Sequence, residues 1–170
     1  KETDKLVGDD GKYYTKEEQD IVVTETNADT LEFKEITCNL NGNLKTLTEG
    51  EDYTVSSSGT DVTWKQYTYQ IDKKNFAEEG TYILTIYSED RAKNTSDNQT
   101  KGKTIEFVVD KTSPNILVSG VESGGQYRES NREITLDIQD NIRLSEVEVI
   151  LNGMKEIYSA SDISDMDGKI

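Results

Sequence analysis

The 170-residue chain offers chemistry 34 acidic and 19 basic side chains, one cysteine, one tryptophan and no histidine. Without histidine there is no Ser-His-Asp or Cys-His nucleophilic site, no His-ligated zinc, and not the commonest general base. Carboxylates remain, and a suitably spaced pair of them hydrolyses glycosides. Acids this abundant, however, single out no pair. Oxygen-rich turns also bind calcium, which takes roughly six to eight oxygen ligands. Asp90 and Asp110 stand where strands are expected to end near a joint in the chain, and Asp140 precedes Asn141 on a later turn. Together these three would make a calcium site. Apart, they are solvated turn acids, the usual state of such residues in a chain of net charge −15.

Trp64 is the other candidate. If Tyr67, Tyr69 and Ile71 face a core, strict alternation points Trp64 outward with Gln66 and Thr68. An exposed indole beside amides and hydroxyls suits a sugar ring, whose apolar C–H face stacks on it. The alternative is a bulge near Lys65 that returns Val62 and Trp64 to the core. Cys38 shares the apolar face of "EITCNLNG" with Ile36 and Leu40 and reads as a core thiol. A single cysteine forms no intrachain disulfide. "DMDGK" (165–169) has the opening spacing of an EF-hand loop without the remainder. Asn94-Thr95-Ser96 and Asn98-Gln99-Thr100 match the N-glycosylation pattern.

The elements that must carry these residues are short strands. Apolar residues make up 32% of the chain, below the roughly 45–50% of a typical globular domain, which suits thin two-layer β domains. The strong negative charge repels phosphate backbones and anionic lipid surfaces, so neither nucleic acid nor membrane insertion is expected. No apolar run approaches the roughly 18 residues of a membrane span, and no leader or anchor is visible, so the chain reads as an excised, mature fragment.

The chain also repeats itself. "YTKEEQDIVVTETNADTLEF" (14–33) aligns with "YRESNREITLDIQDNIRLSE" (127–146), pairing Tyr14 with Tyr127, Ile21 with Ile134 and Leu31 with Leu144 at an offset of 113. "EITCNLNG" (35–42) aligns with "EVEVILNG" (146–153) at an offset of 111, a shift of two that one loop absorbs. Cys38 then aligns with Val149, which strengthens its core assignment. A period of this length is that of a β-sandwich domain rather than a solenoid repeat. Residues 1–110 make one copy, 111–114 a linker stiffened by Pro114, and 115–170 the N-terminal part of a second. The counterparts of "DVTWKQYTYQIDKKNF", "GTYILTIYSED" and "KTIEFVVD" are expected beyond residue 170.

Period-two alternation predicts strands in the first copy at about 4–7, 20–26, 32–41, 45–55, 61–71, 80–89 and 103–110, with one helical turn within 72–80. In "NFAEEGTYILTIYSED" (75–90), an apolar Phe76, a turn ending at Gly80 and a strand opening on Tyr82 resemble the tyrosine corner of immunoglobulin-like sandwiches. Leu84 stands where antibody domains carry a cysteine.

The run "GTYILTIYSEDRAKNTS", followed by "IEFVVDKTSPNI" and "DNIRLSEVEVILNG", resembles the bacterial Ig-like repeats of Gram-positive cell-surface proteins. Those repeats turn on D-x-A-x-N, here Asp90 to Asn94, and end on V-D-x-T-x-P, here Val109 to Pro114. Lys93 departs from the glycine usual after that alanine. The resemblance implies an all-β fold of tandem immunoglobulin-like sandwiches, the second incomplete, on a cell surface or cell wall. It implies a non-catalytic stalk, spacer or adhesive module whose partners are neighbouring repeats, a glycan or a host surface protein. No cofactor is expected beyond the calcium considered above. A Lys–Asn cross-link, found in some Gram-positive sandwiches, is not expected, since "KTIEFVVD" has no asparagine. The alternative function is a carbohydrate-binding accessory module of a secreted glycosidase; an exposed Trp64 favours it, a buried one the stalk.

Overall fold

The computed structural model describes residues 6–8, 10–60, 64–101 and 103–165. They form an all-β protein in two compact units, the first ending at Lys111 and the second starting at Thr112. The first unit holds strands β1 (Leu6–Val7), β2 (Tyr13–Thr15), β3 (Ile21–Asn27), β4 (Leu31–Leu40) and β5 (Asn43–Thr46). It continues with β6 (Tyr53–Thr60), β7 (Trp64–Ile71), β8 (Gly80–Asp90), β9 (Thr95–Asp97) and β10 (Ile105–Val109). One sheet runs β1-β2-β10-β8-β4-β5 with β9 added to β8, and the other runs β3-β7-β6. All pairs are antiparallel except β2 with β10.

Alternation explains the core. On β8 the even-numbered positions from Gly80 to Asp90 are buried, among them Tyr82, Leu84 and Ile86. On β4 their partners Leu40, Cys38 and Ile36 share that inward side. From the other sheet come Tyr67, Tyr69 and Ile71 on β7 and Tyr53 on β6. The two apolar faces close on each other as a β-sandwich, with Leu47 and Phe76 completing the cluster.

The expected strand at 45–55 is two strands. β5 lies in the larger sheet and β6 in the smaller, and residues 47–52 carry the chain between them. Gly50, at φ 84°, and Asp52, whose Oδ2 accepts from Thr48 N at 2.9 Å, build that crossover. Alternating "LKTLTEGEDYTV" conceals the change of sheet. The helical turn expected in 72–80 is a 3-10 turn, Lys73–Phe76, capped by Asp72, whose Oδ1 accepts from Lys74 N at 2.9 Å. Strands β2 and β9 were not expected, and part of the strands read at 4–7 and 61–71 lies outside the described residues, as do Val62 and 166–169 of "DMDGK".

The second unit holds β11 (Asn115–Ser119), β12 (Thr135–Gln139), β13 (Glu146–Leu151), β14 (Met154–Ser159) and a helix, α1 (Ala160–Asp165). β11 pairs with β12 and β13 with β14, all antiparallel. The hairpin β13–β14 reproduces β4–β5. Asn41 and Gly42 have φ of 50° and 91°, Asn152 and Gly153 of 52° and 81°, the paired left-handed geometry of a two-residue turn. The two turns stand 111 positions apart. Helix α1 shows no periodicity in so few residues, but Ser159 and Asp162 carry its signal. Ser159 N donates to Asp162 Oδ2 at 2.8 Å and Asp162 N to Ser159 Oγ at 3.4 Å, a reciprocal cap. No described helix is long and apolar enough to cross a membrane.

Candidate functional site

Trp64 opens β7 and is 46% exposed. The register accounts for this, because Tyr67, Tyr69 and Ile71 point inward and Trp64, Gln66, Thr68 and Gln70 therefore point outward. Thr26 lies beside Gln66, Thr24 beside Thr68 and Val22 beside Gln70 on β3. On β6 the neighbours of Trp64, Gln66, Thr68 and Gln70 are Thr60, Ser58, Ser56 and Thr54. Gly59 lets β6 close on this end of β7: it adopts φ 99°, and a side chain there would run into the Trp64 carbonyl. At the paired positions the outer face around Trp64 thus consists of hydroxyls, amides, one valine and one indole.

The three aspartates read for calcium are divided, Asp90 and Asp110 in the first unit and Asp140 in the second. Asp90 folds its own turn, its Oδ1 accepting from Ala92 N at 2.8 Å and Asn94 N at 2.9 Å, and its Oδ2 from Asn94 Nδ2 at 2.9 Å. Asp140 does the same, Oδ1 accepting from Ile142 N and Arg143 N, each at 2.9 Å. Asp110 N donates to Thr15 O at 2.9 Å. Among the described residues no group of three or more His, Cys, Asp or Glu side chains is placed to hold a metal ion. The Asp90 turn keeps the left-handed geometry with lysine where glycine is usual, Lys93 having φ 67°. Its ammonium meets Glu32 at 2.6 Å and Glu89 at 2.8 Å. Asp90→Ala is expected to lower the melting temperature by a few degrees, and equally in calcium and in chelator, since the lost contacts are to N–H groups. A loss confined to calcium buffer would reassign Asp90 to a metal.

Tyr82 is 1% exposed and its hydroxyl donates to Glu78 O at 2.9 Å while accepting from Glu78 N at 3.2 Å. This is the backward bond to the corner that the motif called for. Cys38 is buried and unpaired with any other cysteine, and burial pushes its thiol up against the opposing pull of the Lys45 charge. A groove of about 430 Å³ opens between β2 and β10 on one sheet and β3 on the other. Three of its four acids are engaged already: Glu106 with Lys12 at 2.7 Å, Glu18 with Lys111, and Asp20 with Lys73 N at 2.9 Å.

Sequence reasoning missed two polar centres. Glu25 points inward from β3, taking the Tyr69 hydroxyl on Oε2 at 3.0 Å and the Ser88 hydroxyl on Oε1. Asp52 is buried beneath the crossover with Lys45 Nζ at 3.1 Å. Burial works against its ionisation, yet the Thr48 N–H and the Lys45 ammonium outweigh it and hold its carboxyl below the ordinary range. Asp90 and Asp97 are also held low, by Asn94 and by Thr100 respectively. Carboxyls lowered in the folded state stabilise it above their unfolded value near about 4 and lose that contribution as pH falls below it. The urea midpoint is therefore expected to drop between about pH 5 and about pH 3, less steeply in Asp52→Asn, whose amide does not titrate. A midpoint flat across that interval would contradict the assignment.

These features define an all-β chain of two units, the first a β-sandwich, with polar turns tied by their own aspartates. Residues 6–121, more than half of the chain, match the Sgo0707 N2 domain family, and the chain belongs to that family. No curated protein and no solved structure matches it.

Proposed function

We propose that the chain is a non-catalytic, extracellular Ig-like repeat that serves as a stalk, spacer or adhesive module of a bacterial surface protein, and the exposed Trp64 favours a glycan-binding role over a bare stalk. The observation that carries the reading is the recurrence of the Asn-Gly hairpin 111 positions along the chain, in a second unit. Modules of one design repeated along a chain lengthen it, and their natural partners are the neighbouring repeats. The strand order supports the Ig-like assignment. β2 runs parallel to β10, followed by β8, β4 and β5, against β3, β7 and β6, with Tyr82 near the start of β8 bonded back to the corner at Glu78. Sandwiches of this kind need neither a disulfide nor a cofactor when the core is filled as it is around Tyr69 and Tyr82.

Proteolytic shaving of intact cells that display the parent protein tests the location. Peptides from residues 12–111 are expected in the released fraction. Their appearance only after lysis would overturn the extracellular reading.

A further inference from the structure

The outer face of β3-β7-β6 departs from the chemistry of the rest of the chain. Charged residues are 31% of the sequence, and the outer side of the larger sheet carries Glu35, Glu89, Asp97 and Glu106. The smaller sheet presents no charged side chain outward at any of its paired positions. We propose that this face binds a neutral, unbranched polysaccharide, one ring stacked on Trp64 and the chain running along β7.

The chemistry matches group by group. Hydroxyls and amides both donate and accept, as sugar hydroxyls do, so each row offers complementary partners whatever the orientation of a ring. The exposed indole supplies the one flat apolar surface needed to hold a pyranose by its C–H face. An anionic ligand meets a chain of net charge −15, and a cationic one finds no outward carboxylate at the paired positions of this face. A neutral polyhydroxyl chain avoids both penalties. Same-side positions on a strand are about 7 Å apart, so Trp64 to Gln70 spans about 20 Å, room for several linked rings.

Because Trp64 is the single tryptophan, its emission reports this face alone. Titrating the 170-residue protein with cellohexaose and with chitohexaose is expected to give a saturable change in that emission with at least one of them. By calorimetry, Trp64→Ala and Thr68→Glu should each weaken binding about tenfold or more. Both positions point outward, and circular dichroism of the two variants should match the parent. No emission change with either hexamer at about 10 mM overturns the proposal, as does undiminished binding by Trp64→Ala. Equal binding of dextran sulfate overturns the neutral ligand class. A protein-concentration-dependent emission change matched by dimer mass in light scattering would assign the face to a second copy instead.

Discussion

Glu25→Ala is expected to destabilise the first unit by about 2–6 kcal/mol, because it strands two buried hydroxyl donors at about 1–3 kcal/mol each. Tyr69 is fully buried on β7 and Ser88 is buried on β8, so the Glu25 carboxylate bridges the two sheets through one oxygen apiece. Burial, and then the adjacent Glu25 charge, hold the Tyr69 phenol far above its ordinary value, so it remains a donor wherever the protein is folded. Glu25→Gln keeps one acceptor oxygen but turns an NH2 toward a hydroxyl, and should lose about half as much. The double variant Glu25→Leu, Tyr69→Phe removes both ends of one bond and should recover part of the loss, as apolar replacement of both partners does. Urea unfolding at neutral pH reads all three. A Glu25→Ala midpoint shift worth less than about 0.5 kcal/mol would mean water reaches those hydroxyls.

That network could not be read from the chain. Alternation in "IVVTETN" puts positions 21, 23 and 25 on one side, so an acid follows two core residues in the same inward row. Its partners lie 44 and 63 residues away: the β3–β7 pairing brings Tyr69 to it, and only the stacking of one sheet on the other brings Ser88. The uncharged outer face was half legible for the same reason. Trp64, Gln66 and Thr68 follow from the period of one strand, but Thr24 and Ser56 join them only through the registers of two others. Local chemistry fared better. The Asp90 and Asp140 turns close within three or four residues, so a strand-ending Asp is visible as such, although the spacing does not say whether its oxygens face N–H groups or a cation. The β5-to-β6 crossover hid for the opposite reason: its alternation continues across a change of sheet, and only Gly50 hinted at a break.

Tyr82 separates the two contributions a corner tyrosine makes. Its ring stacks on Phe107 at 5.3 Å, and Phe76 sets an edge against both, 5.4 Å from Tyr82 and 5.2 Å from Phe107. Tyr82→Ala removes that ring from a fully packed site and is expected to cost about 3–5 kcal/mol. Tyr82→Phe keeps the stack and loses only the hydroxyl bonds to Glu78 N and O. Since Glu78 itself is exposed, water can take over part of its backbone bonding, which places the loss near the low end of the range for an orphaned group, about 1–2 kcal/mol. The corner also fixes where β8 begins. Thr81 N donates to Asn41 Oδ1 at 2.9 Å, and Asn41 N to Thr81 O at 3.1 Å, tying the start of that strand to the β4–β5 turn. Tyr82→Phe should therefore leave the fold and the emission of Trp64 unchanged while lowering the unfolding midpoint, whereas Tyr82→Ala should lower it two- to fourfold further in free energy. If the two variants prove equally destabilised, the hydroxyl rather than the aromatic cluster holds the corner. If Tyr82→Phe matches the parent, hydration replaces the bond completely and the ring alone accounts for the burial of Tyr82.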